Sequence, residues 1–112
     1  MSEEALAWAP DACTLPTAEK PLRLAEFDRV FATSVRAVER VTPTRARLDL
    51  AADPAVAARV ANLVVRETGC CSFFTFSLVA TGGGLVLEVA VPPEHVDVLD
   101  ALVARAAAGG RP

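Results

Sequence analysis

Phe74-Thr75-Phe76-Ser77-Leu78-Val79-Ala80-Thr81-Gly82-Gly83-Gly84-Leu85-Val86-Leu87-Glu88-Val89-Ala90-Val91 is the stretch that decides the fold. Phe74, Phe76 and Leu78 alternate with Thr75, Ser77 and Val79. After three glycines, Leu85, Leu87, Val89 and Val91 alternate with Val86, Glu88 and Ala90. A period of two on both sides of a glycine-rich break is the pattern of a β-hairpin with one face on a core. The glycines lack the strand-loop-helix setting and the following Lys-Ser/Thr of a phosphate-binding loop, so they read as a turn.

Working outward, the residues on either side change period. Downstream, Pro92-Pro93-Glu94 opens a helix along which Val96, Leu99, Leu102, Val103 and Ala106 line one side, with Gly109-Gly110 as its stop. Upstream, Asp53 as N-cap and Pro54 at the first helical position start a helix with Val56, Val60, Leu63 and Val64 on one face. Gly69 suits a left-handed C-terminal cap for it. Before that helix, Val35, Ala37 and Val41 alternate with Arg36 and Arg40. Past Thr42-Pro43, Ala46, Leu48 and Leu50 alternate with Arg45, Arg47 and Asp49. This predicts a second hairpin, with Glu39 out of place on its apolar side. Leu24, Phe27, Val30 and Phe31 have helical spacing and predict a short helix over 24–32.

The expected fold is therefore α+β: a four-stranded, mainly antiparallel sheet with its helices on one face, in the order α-ββ-α-ββ-α, with the ββα unit occurring twice. The expected organisation is an extended N-terminal arm over 1–23, a single domain over 24–108 and a tail over 109–112. The uncovered sheet face needs water, a ligand or a second copy, and Phe73 and Val79 are expected there as the mark of a homodimer surface.

Composition narrows function. The chain has 112 residues, a formal charge of −3 and 53 % hydrophobic residues. It lacks the basic run that direct nucleic-acid binding needs to displace phosphate counterions. No stretch approaches the ~18–20 apolar residues of a membrane span. An acidic start, Met1-Ser2-Glu3-Glu4, is unlike a secretory signal, and three cysteines with two adjacent make a poor disulfide framework. A reducing cytoplasm is the expected location. With one His and no Tyr, the acid-base inventory is thin, no catalytic residue is proposed, and enzyme status stays open.

The distinctive chemistry lies in Cys13, Cys70 and Cys71. Cys70-Cys71 falls at a helix-to-strand corner, where neighbouring side chains can be brought to act jointly. Thiolates are soft ligands that favour Cu(I) and Zn(II) and, by the same softness, Hg(II) and As(III). A third sulfur from Cys13 would complete a trigonal set for Hg(II) or As(III) and staple the arm to the domain. Zinc fits less well, for there is no C-x-x-C spacing. His95 or Glu67 would have to supply a fourth ligand. The negative end of a helix dipole beside Cys70-Cys71 disfavours a nucleophilic thiolate there. Three readings remain open: a soft-metal or metalloid binder, a thiol-redox or thiol-transfer protein, and a dimeric interaction or small-molecule-binding domain whose cysteines only pack.

The segment Glu67-x-x-Cys70-Cys71-x-Phe73-x-x-Phe76 carries a resemblance. So do Cys13-Thr14-Leu15-Pro16 and the run Val91-Pro92-Pro93-Glu94-His95-Val96-Asp97-Val98-Leu99-Asp100. Together, over about 12–105, they resemble a group of small bacterial proteins frequent in actinobacteria. These look similar to modules associated with MerR-type, heavy-metal-responsive regulators. The resemblance implies a role in metal or metalloid response. As no helix-turn-helix domain is present here, it also implies a separate MerR-type regulator as partner.

Overall fold

In the computed structural model, residues 20–109 are described, with side chains from 23 onward. Three helices and four strands follow one another as α1 (Lys20–Ser34), β1 (Val35–Thr42), β2 (Arg45–Leu50), α2 (Pro54–Cys70), β3 (Thr75–Thr81), β4 (Gly84–Ala90) and α3 (Val96–Ala107). A short 3-10 turn, Pro93–His95, leads into α3. The α+β class and the order α-ββ-α-ββ-α are as expected. The sheet is antiparallel throughout, with strand order β1-β2-β4-β3.

The two hairpins meet through their second strands, so β2 and β4 are central. Their inward residues Ala46, Leu48, Leu50, Leu85, Leu87 and Val89 are all buried. The three helices cover that face. Leu24, Phe27, Val30 and Phe31 come from α1, Val60, Leu63 and Val64 from α2, and Val98, Leu99, Leu102 and Ala106 from α3. Full burial of a side chain of this size stabilises by roughly 1.5–3 kcal/mol, which is why the helical and strand periods both point at this one layer. No helix among the described residues is long and apolar enough to cross a membrane.

Turn chemistry fixes the second hairpin. Gly82 and Gly83 take φ of 57° and 78° between Thr81 and Gly84, which pair directly. Two consecutive left-handed residues form the tight turn whose twist matches that of the strands.

Several details differ from expectation. Helix α1 spans Lys20–Ser34 among the described residues, so the extended arm predicted over 1–23 cannot include residues 20–23. Residues 1–19 and 110–112, and with them Cys13, lie outside the described residues. In β1 the register slips between Val35 and Ala37 and again between Arg40 and Thr42. The first irregularity puts Val35 and Val38 on the core side and Ala37 and Glu39 on the open side, opposite Asp49 and Arg47. Glu39 is thus not an acid on an apolar face. Val41 in turn is 47 % exposed. Phe73, expected on the open face with Val79, precedes β3 and packs against the core, while Val79 does face outward.

Candidate functional site

The corner between α2 and β3 is built from the helix. Asp53 accepts a hydrogen bond from the Ala55 amide at 2.7 Å, satisfying one of the amide groups left open at a helix start. Val60, Leu63, Val64 and Glu67 then repeat at spacings of three and four and are the buried stripe of α2. The helix runs one residue past Gly69, which has no left-handed backbone and is not the cap. Cys70 is the last helical residue. Cys71 is the cap, at φ −119° and ψ 82°, and its amide donates to the Glu67 carbonyl at 2.7 Å. The Phe74 amide returns to the Cys71 carbonyl at 3.3 Å, and the chain enters β3 at Thr75.

The two neighbouring cysteines have different surroundings. Cys71 is 1 % exposed, part of the apolar core, and disulfide-bonded. Cys70 is half-buried against the same core and remains a thiol. Among the described residues there is no group of three or more His, Cys, Asp or Glu side chains arranged to hold a metal ion.

Of the other side chains weighed as ligands, Glu67 is held by a cation and His95 stacks on a neighbouring ring. Glu67 is 2 % exposed and accepts from the Arg23 guanidinium at 2.7 Å. Burial pushes its carboxyl above the ordinary glutamate range, against the opposing pull of Arg23. A carboxylate so placed ties α1 to α2. A second tie lies next to it, where Arg66 forks onto Glu26 at 2.6 and 3.1 Å. This pairing holds the Glu26 carboxyl below its usual range. The His95 ring stacks on Phe73 with centroids 4.2 Å apart, and Phe73, Phe74 and Phe76 continue the contact at 4.7 and 5.1 Å. The last helix is thereby docked on the cysteine corner through an aromatic chain.

Arg23 was not legible as the partner of Glu67, since it falls within the stretch read as an arm. The signal was there in the helical spacing of Arg23 with Glu26 and Phe27. The Phe73–His95 stack had no sequence signal beyond the presence of two rings near two turns.

Compared with family models, with curated proteins and with solved structures, the chain matches none.

Proposed function

We propose that this chain binds a soft metal or metalloid ion through its three cysteines in their reduced form, with Hg(II) and As(III) preferred over Cu(I) and Zn(II). The observation that supports the reading is that Cys70 and Cys71 stand side by side where α2 ends, with Cys71 disulfide-bonded. The chain has one further cysteine, Cys13. The reading takes Cys13 as the partner, so that three sulfurs meet at one corner.

Two electrons and two protons open the disulfide and return two thiols beside the third. Three thiolates with no carboxylate or imidazole among them suit ions that prefer soft, low-coordinate sulfur sets. The pairing of Glu67 with Arg23 supports an all-sulfur set over a tetrahedral zinc site with a carboxylate ligand. A reducing cytoplasm would keep the ligand form available. Binding would favour the state in which the N-terminal segment is joined to the corner, a change that a separate MerR-type regulator could read.

A second reading, thiol-disulfide exchange, is favoured by the disulfide itself. Cys70, next to it in the chain, is the third sulfur for such a relay.

The two are separated by titrating the reduced full chain with Hg(II) and with arsenite while following the sulfur-to-metal charge-transfer absorption. The metal reading expects tight, saturable binding that is lost in the Cys70→Ser/Cys71→Ser double variant and in the oxidised protein. Unchanged tight binding in the double variant would overturn it. Weak binding together with turnover of a small disulfide substrate would replace it with the exchange reading.

A further inference from the structure

Between α1 and α2 lies a groove of about 550 Å3. Its floor is apolar, formed with the buried Val30 and Leu63. Its walls carry three guanidinium groups, Arg29 from α1 and Arg59 and Arg66 from α2, together with the Asn62 amide. Arg59, Asn62 and Arg66 are spaced three and four apart and so share one stripe of α2.

The charges in this groove are unbalanced. Elsewhere along the helix contacts each arginine meets a carboxylate: Arg23 meets Glu67, and Arg105 forks onto Asp28. In the groove only Arg66 is matched, by Glu26. Among the described residues neither Arg29 nor Arg59 forms an ion pair. Two cations facing one cavity repel each other, and an anion between them removes that cost. The volume falls within the range of small-molecule sites, which are largely apolar with a few convergent polar groups. A guanidinium fork matches the oxygens of a carboxylate or phosphate, as Arg66 already does with Glu26.

We propose that the α1–α2 groove is a binding site for a small organic oxyanion, with its carboxylate or phosphate head on Arg29 and Arg59 and its apolar body on Val30 and Leu63. The site stands independently of the thiol reading.

The test is a 1H–15N NMR titration of the full chain at fixed ionic strength with benzoate, phenyl phosphate, inorganic phosphate and benzyl alcohol. Saturable shifts confined to residues 25–30 and 58–66 are expected with benzoate or phenyl phosphate, and the tighter of the two identifies the preferred head. Inorganic phosphate and benzyl alcohol, each having half the chemistry, are expected to bind about tenfold more weakly or worse. The Arg29→Gln/Arg59→Gln variant, which breaks no ion pair, should lose about tenfold or more in affinity for the whole ligands. Absence of saturable shifts, equal binding of either half-ligand, or wild-type affinity in the double variant would each overturn the proposal.

Discussion

Glu67 shows how one residue can be misjudged by type and understood by surroundings. Its place three residues before the cysteine pair made it a candidate ligand. Instead it is a buried carboxylate whose charge is supported by Arg23 yet costly to hold in the core. With the folded value raised, the native protein takes up a proton over a pH range where the unfolded chain has already lost it. The contribution of this group to stability is therefore greatest at acid pH and falls as pH rises through the raised value. Glu26 acts in the opposite sense. Its value is lowered, so its contribution is present above the ordinary range and is lost as pH falls through the lowered value. Glu67→Gln keeps an acceptor for Arg23 without the buried charge. It should be at least as stable as the wild type at neutral pH, and that difference should vanish in acid. Glu67→Ala leaves the Arg23 guanidinium, with an 11 % exposed side chain, without its buried partner and should cost about 3 kcal/mol. Urea unfolding of both variants across pH checks this. A Gln variant as damaged as the Ala variant would contradict it.

At the scale of elements, the glycines separate local signal from tertiary context. Gly83 has φ 78°, and a side chain there would meet open space, so Gly83→Ala should cost about 1–2 kcal/mol through backbone conformation alone. Gly69 lies within α2, where an added Cβ would also meet open space, and its backbone is not left-handed. Gly69→Ala should accordingly stabilise the protein, by up to about 1 kcal/mol. Thermal or urea denaturation of the two variants should move in opposite directions. Equal losses would mean that α2 ends at Gly69 after all.

The same contrast explains what could be read beforehand. The β3–β4 hairpin, the Asp53-Pro54 helix start and the core faces of β2 and β4 rest on local pattern, and these were legible. The end of α2 was not, because the Cys71 amide still finds the Glu67 carbonyl and the helix gains another residue. The irregularities of β1 were not legible either. A slip of one position exchanges the two faces of a strand, and only pairing with β2 decides it. At the candidate site, the corner position of the cysteines was readable from the change of period. Their unequal burial and the engagement of Glu67 and His95 depend on α1 and α3, which are remote in sequence.

At the scale of the whole molecule, the described residues place three helices on one face of the sheet, and the other face carries rows such as Glu39, Arg47, Glu88 and Ser77, alternating in charge or polarity across the four strands. The cysteine corner lies at the end of α2 where that helix hands the chain to edge strand β3, with α3 held beside it through His95 and Phe73. A sulfur-bound ion at this point would connect the N-terminal segment, α2 and the start of β3. The most direct test is X-ray absorption spectroscopy of the reduced full chain loaded with arsenite, compared with its Cys13→Ser variant. Three sulfur neighbours around arsenic are expected in the wild type, falling to two with an added oxygen in the variant. A shell dominated by oxygen in the wild type, or one unchanged by loss of Cys13, would contradict it.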